Sequence, residues 1–336
     1  MSNKRSFLSN WRELISLLVL TAIAIITIFA YFASYYGWKL YLEIFSHFQV
    51  QYFLISLFLL IILFVLRCQK QKIYIGIFLC AILSMQILPW FLPSRNLFAA
   101  NQRADLKILV ANVNTQNTSY DKVLDLVKVE KPDIAVFMEV DKEWETQLDT
   151  LKDLLPYSSG QCSTCNLGTL LYTNRILNDS QIKFFGADKN SSIIARLTIE
   201  QQPITVIATH PFPPLKPSFF ASRNHQLNSI GDYVTEIDNR VILAGDFNLS
   251  MWSPYSRKLI KKTNLNDTRR GFGILASWPT PGTYQRLPNW FSLLLRIPID
   301  RCLISKGFKT TNIYTGGQID SDHLPLIVDL QITDFN

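Results

Sequence analysis

The sequence predicts an α/β domain preceded by three membrane-spanning helices, and three observations carry that expectation. Residues 1–93 are almost wholly apolar, whereas 94–336 has the mixed composition of a water-soluble domain. The apolar part divides into three runs without charge. The remainder alternates between strand-like and helix-like patterns, as α/β chains do. A chain of 336 residues has room for both parts.

The runs at about 14–36, 50–66 and 73–92 match the roughly 20 apolar residues that a bilayer crossing needs. The third ends at Pro89-Trp90-Phe91-Leu92-Pro93, an aromatic exit suited to a membrane interface. A cleaved signal peptide accounts for the first run but not the next two. A buried helical hairpin is the remaining alternative. Lys4, Arg5 and Arg12 precede the first run, and Arg67, Lys70 and Lys72 lie between the second and third. Basic residues stay cytoplasmic, so the N-terminus is expected inside and residues 94–336 outside. In a bacterium with two membranes, that makes a multi-pass inner-membrane protein with a periplasmic domain. The spans hold no intramembrane charge of the kind an ion path shows, so anchoring is their expected task.

Residues 94–104 read as a polar linker and 105–336 as the functional domain. Within it, Leu106–Val110 is a short apolar run. Tyr120–Glu130 has the spacing of a surface helix, and Pro132 stops it before a buried run, Asp133–Met138. Further strands are expected at Gly168–Tyr172, Ile193–Ile199, Ile204–Thr209, Val241–Ala244, Pro298–Ile304 and Leu324–Leu330, with a helix over Ser218–Ile237. Five cysteines do not make a disulfide scaffold. Cys162 and Cys165 could close a short disulfide in an oxidising compartment; half a zinc site is the alternative, and no second pair follows.

The net charge of +7 is concentrated where it speaks to topology. Residues 1–93 contribute +5 of it and residues 94–336 only +2. That balance argues against a long polyanion groove. A local cluster of Arg257, Lys258, Lys261, Lys262, Arg269 and Arg270 reads as a solvated helix face, with a phosphate grip as the alternative. The run Trp290-Phe291-Ser292-Leu293-Leu294-Leu295 reads as an apolar loop, either packed in the core or lying against the bilayer.

Asn112, Asn114, Glu139, His210, Asp246, Asn248, Asp300, Asp322 and His323 all sit at or beside ends of apolar runs. Taken singly, each has a plain structural reading as a cap, a turn or an ion-pair partner. In Gly245-Asp246-Phe247-Asn248 the acid and the amide stand two apart, so an extended chain projects both to one side. Carboxylates and carboxamides offer hard oxygen to Mg²⁺ or Mn²⁺. A carboxylate beside an imidazole favours its protonated form.

Together and in this order, Ala111-Asn112-Val113-Asn114, Met138-Glu139-Val140, Thr209-His210-Pro211, Gly245-Asp246-Phe247-Asn248, Ile299-Asp300 and Ser321-Asp322-His323-Leu324-Pro325 resemble the endonuclease/exonuclease/phosphatase superfamily, the deoxyribonuclease I-like proteins. The three spans, the His-Pro-Phe-Pro-Pro run and Arg223-Asn224-His225-Gln226 resemble its membrane-anchored bacterial branch. The resemblance implies a four-layer αββα sandwich, two mixed β-sheets flanked by helices, with Mg²⁺ or Mn²⁺ at the sheet edge. It makes Glu139 the chief metal ligand, assisted by Asn112, Asn114 and Asp322. Asp246 would activate water and Asn248 steady the transition-state oxygens. His323, oriented by Asp300, would donate to the phosphoryl group. His210 would contact phosphate oxygen, and Arg223 and Asn224 would bind substrate.

Two departures matter. Asn114 stands where many relatives have Asp, and no glutamate near Gly168–Tyr172 pairs with His210 as in secreted deoxyribonucleases. The expected function is hydrolysis of a phosphate ester, whether nucleic acid, lipid headgroup or small molecule; a non-catalytic binding or sensing domain is the alternative. No obligate protein partner is evident.

Overall fold

A computed structural model describes residues 2–92, 104–163, 166–186, 190–284 and 286–334, with side chains placed from Asn10 onward. The expected linker, save Ala104, and Cys165 lie outside the described residues. The chain forms two compact units, Met1–Pro89 with Trp252–Pro254, and Trp90–Met251 with Tyr255–Asn336.

The first unit holds α1 (Ser2–Tyr36), α2 (Leu40–Phe45), α3 (Gln49–Val65) and α4 (Lys70–Ser84). Asn10–Tyr36, Leu40–Val65 and Lys70–Trp90 are long and apolar enough to cross a membrane. The second begins ten residues earlier than the composition suggested, because α2 runs into α3 through one tight 3₁₀ turn at Ser46–Phe48. Ile23, Leu60, Leu63 and Cys80 pack the helices together. Outward residues such as Leu18, Ile28 and Phe58 are apolar too, the signature of helices made for lipid rather than water.

The second unit runs β1 (Leu106–Asn112), α5 (Tyr120–Glu130), β2 (Ile134–Met138), α6 (Lys142–Leu148), β3 (Tyr157–Gln161), β4 (Thr169–Thr173), β5 (Leu177–Phe184), β6 (Ser191–Ile199), β7 (Gln202–Thr209), α7 (Pro217–Thr235), β8 (Arg240–Asp246), α8 (Pro254–Thr263), β9 (Asn266–Asp267), α9 (Asn289–Leu295), β10 (Asp300–Ile304), β11 (Phe308–Thr315) and β12 (Leu326–Ile332). Two six-stranded sheets result, ordered β11-β12-β1-β2-β4-β3 and β5-β6-β7-β8-β10-β9. Residues 289–295, read from sequence as a loop, are helical.

Side-chain alternation builds the layers. In β1, Ile108 and Val110 point inward to meet Ala195, Val206, Ile242 and Ala244 of the other sheet. Leu109 and Ala111 point outward under Val123 and Val127 of α5 and Trp144 of α6. In β8 the outward pair, Val241 and Leu243, packs under Leu227 and Ile230 of α7 and Leu259 of α8. This is the four-layer αββα sandwich. Each sheet contains one parallel pair joined by a helix, β1–α5–β2 and β7–α7–β8. Both sheets bring strand ends to a common edge: Asn112 lies opposite Met138, and Asp246 opposite Asp300 at the start of antiparallel β10.

Candidate active site

Asn112 is the hub of that edge. Its Oδ1 accepts from the Asn114 amide at 3.1 Å, which fixes the carboxamide orientation. Nδ2 then faces two carboxylates, donating to Glu139 Oε1 at 2.9 Å and Asp246 Oδ2 at 3.2 Å. Asn114 repeats the pattern: Oδ1 accepts from the Gln116 amide and Nδ2 donates to Asp322 Oδ1 at 2.8 Å. As placed, both carboxamides spend their oxygen on the backbone and hold carboxylates with their nitrogen.

Three residues reach their positions through left-handed backbone. Asn114, Glu139 and Asn248 have φ of +60°, +59° and +52°. Asparagine adopts this region readily and glutamate does not. At Glu139 the twist breaks the strand alternation at the residue following β2. The Asn248 turn is held on both sides, its amide donating to Asp246 Oδ1 at 2.8 Å and its Nδ2 to Pro211 O at 3.0 Å. Arg223 is fully buried and donates to the Asn248 carbonyl at 2.7 Å and to Asn224 Oδ1. Both residues expected to bind substrate therefore support the turn from beneath.

His323 Nδ1 lies 2.8 Å from Asp300 Oδ2. Burial alone would lower the imidazole pKa, but the carboxylates of Asp300 and Asp246 outweigh it and hold it up at about 10. Nδ1–H donates to Asp300, and Nε2–H faces the pocket, 3.7 Å from Asp246 Oδ2. Asp246 is itself pushed up to about 7 by burial and by Asp300, with His323 and the Asn248 amide pulling the other way. Burial also pushes Glu139 up. His210 is buried, its Nε2 is 3.6 Å from Asp246 Oδ2, and burial pushes it down. Its Nδ1 has no hydrogen-bond partner among the described residues, in keeping with the missing glutamate.

A divalent cation fits this donor set. Burial raises the Glu139 carboxyl above its ordinary value, and a cation beside it would relieve that. Among the described residues, Asp246, Asp300 and His323 offer ligand atoms within 4.8 Å of one another. Asp300 is engaged by a protonated imidazole, however, so the hard-oxygen side at Glu139 and Asp322 suits a cation better.

Several residues that hold the site carried no role in the sequence reading. Ser321 Oγ donates to Asn112 O at 2.7 Å and accepts from the His323 amide at 3.1 Å, clamping one sheet's edge to the His323 backbone. Trp278 Nε1 donates to Asp322 Oδ2 at 3.1 Å. Arg269 is not part of a basic surface patch: it is fully buried, and its guanidinium donates to the Asp300 carbonyl. Lys262 of the same cluster pairs with Asp232. Cys162 is a free thiol, and its expected disulfide partner, Cys165, lies outside the described residues.

The profile of the Endonuclease/Exonuclease/phosphatase family matches residues 109–323. Among solved structures, D. rerio TDP2 complexed with a single-strand DNA product superposes with a TM-score of 0.56 at 17% identity, over 67% of this chain and 98% of that one. An endonuclease/exonuclease/phosphatase from Beutenbergia cavernae gives 0.55 at 18% identity, over 69% and 73%. A family protein from Leptotrichia buccalis gives 0.53 at 16%, over 68% and 100%. At these identities the likeness is one of fold. No curated protein matches the chain.

Proposed function

The chain belongs to the endonuclease/exonuclease/phosphatase family, and from that premise we propose that it is a membrane-anchored, divalent-metal-dependent phosphoesterase. The observation that carries the reading is the joined pair of devices at the sheet edge. One is the His323–Asp300 couple at 2.8 Å; the other is the Glu139–Asn112–Asp246 bridge.

Hydrolysis of a phosphate ester needs an oriented water, neutralised phosphoryl oxygens and relief for the leaving oxygen. Mg²⁺ or Mn²⁺ held by Glu139 and Asp322 would supply charge neutralisation at the phosphoryl oxygens. Asp246 Oδ2 orients the attacking water and takes its proton. Asn112 and the Asn248 amide fix that carboxylate from either side. The imidazolium of His323 directs Nε2–H at the phosphoryl group while Asp300 holds its tautomer and angle. His210, with Nε2 close to Asp246 and no partner at Nδ1 among the described residues, contacts a phosphoryl oxygen instead of serving as a second base. Asn112 and Asn114 orient carboxylates, and Arg223 with Asn224 braces the Asn248 turn.

The full chain in detergent should release nitrophenol from bis-p-nitrophenyl phosphate with Mg²⁺ or Mn²⁺ and stop on chelation. Asp246→Ala should lower the rate by about 10²–10⁴-fold. No metal-dependent turnover, or turnover unchanged in Asp246→Ala, would leave a binding or sensing domain as the better reading.

The basic residues around the spans support a cytoplasmic N-terminus and an extracytoplasmic catalytic domain. Alkaline phosphatase fused after residue 104 should be active, and fused after residue 69 inactive. The reverse pattern places the domain inside.

A further inference from the structure

Three connections leave the second sheet at its catalytic edge. They follow Thr209 of β7 and Asp246 of β8, and precede Asp300 of β10. Residues 210–216, 247–251 and 268–299 hold not one Asp or Glu among them. Lys216, Arg270 and Arg286 are exposed on them.

The last of these connections contains α9, which is built inside out. Ser292 is its buried position, while Trp290, Leu293 and Leu294 stand 59%, 54% and 56% exposed. Their spacing of three and four places them on one face. That is the face an ordinary surface helix gives to polar residues. Leu287 just before it and Leu215 in the first connection are exposed as well.

A chain of rings joins α9 to the catalytic residues. Trp290 lies 6.1 Å from Phe291, Phe291 6.5 Å from Tyr284, and Tyr284 6.5 Å from Trp278. Trp278 is 6.4 Å from His323 and hydrogen-bonded to Asp322. The apolar helix is thus continuous with one wall of the site.

We propose that α9 and the acid-free rim dock on the surface of a phospholipid bilayer, so that the site takes phosphate esters presented at that surface. An apolar helical face flanked by cations matches the acyl–headgroup boundary of an anionic leaflet. The chain's three helices long and apolar enough to cross a membrane make a bilayer the apolar phase that accompanies this domain. The docking surface stands on exposure and charge; only the substrate clause rests on the phosphoesterase reading.

The test uses the full chain in nanodiscs of equimolar phosphatidylglycerol and phosphatidylcholine. A nitroxide at Leu293→Cys should collide more with oxygen than with a water-soluble nickel chelate, over the parent chain's background. At Val129→Cys, a still more exposed apolar position on α5, the order should reverse. Water-like accessibility at both overturns the proposal. So does shielding of Leu293→Cys that persists in detergent and rises with protein concentration, the mark of a second copy. Turnover gives a second reading. Leu293→Asp with Leu294→Asp should slow release of nitrophenol from phosphatidyl-p-nitrophenol in such bilayers about tenfold. The rate on bis-p-nitrophenyl phosphate should not change. An equal fall on both substrates overturns the substrate clause. Failure of the unsubstituted chain on both overturns the phosphoesterase reading, while the accessibility order still decides docking.

Discussion

Asp246 and Asp300 face each other across one register pair, yet their neighbours give them different tasks. Asp300 is committed to His323, whereas Asp246 is held by the Asn248 amide on Oδ1 and the Asn112 carboxamide on Oδ2. Asp300→Asn tests the division. Without that charge, burial wins at His323 and its pKa falls from about 10, moving the alkaline limb of the pH–rate profile down. Asp246 loses a repelling neighbour, so the acid limb also moves down from about 7. A loss of about 10²-fold is expected at pH 8, with less at pH 6. The His323 imidazole proton shift should report the same fall in pKa. A profile that drops without changing shape would mean that Asp300 acts by packing alone. Each of these acids alone read as a cap or turn, and they were legible only as members of an ordered set of motifs along the chain. Arg269 was not. Beside Arg257, Lys258 and Lys261 it read as one more surface cation, and only the distant pairing of β9 with β10 buries it under Asp300.

At the scale of elements, legibility followed position in the sheet. β1, β2, β4, β6, β7, β8, β10 and β12 all showed in the sequence, and all are interior strands. The unseen strands, β3, β5, β9 and β11, are the four sheet edges. An edge strand is partly solvated, so its apolar run dissolves into polar residues; β5, Leu-Asn-Asp-Ser-Gln-Ile-Lys-Phe, is mostly exposed on both faces. α9 was missed for a different reason: its outward face is as apolar as its inward one, so no helical period shows. The interior strands place the site through close contacts, one of them where β8 meets β7. Gly245 has φ of +144°, and a Cβ there would lie 1.9 Å from Thr209 O. Gly245→Ala must therefore both strain the backbone and push apart the strands that carry His210 and Asp246. A destabilisation on the order of 3 kcal/mol is expected in denaturant melts, with activity lost beyond it. A variant as stable as the parent would show that the β7–β8 approach is soft.

For the whole molecule, composition put the boundary after residue 93, while the second compact unit starts at Trp90. The shift has a local cause. The Trp90 carbonyl accepts from the Gly271 amide at 3.0 Å and the Gly273 amide at 2.7 Å. Gly273, with φ of +106°, leaves room for Phe91, whose ring would lie 3.1 Å from any Cβ there. Hydropathy cannot see this, because an aromatic exit from a membrane span and a residue bolted into a soluble domain look alike in sequence. The 269–273 loop also carries Arg269, which holds the Asp300 carbonyl. The exit segment is thus one step removed from the His323–Asp300 pair. A chain truncated to begin at residue 94 forfeits both hydrogen bonds, at about 1 kcal/mol each. It should melt about 4–8 °C below one beginning at residue 88. The alkaline limb of its pH–rate profile should also broaden as Asp300 loosens against His323. Equal melting temperatures would show that Trp90 only passes by, and that the boundary belongs where composition put it.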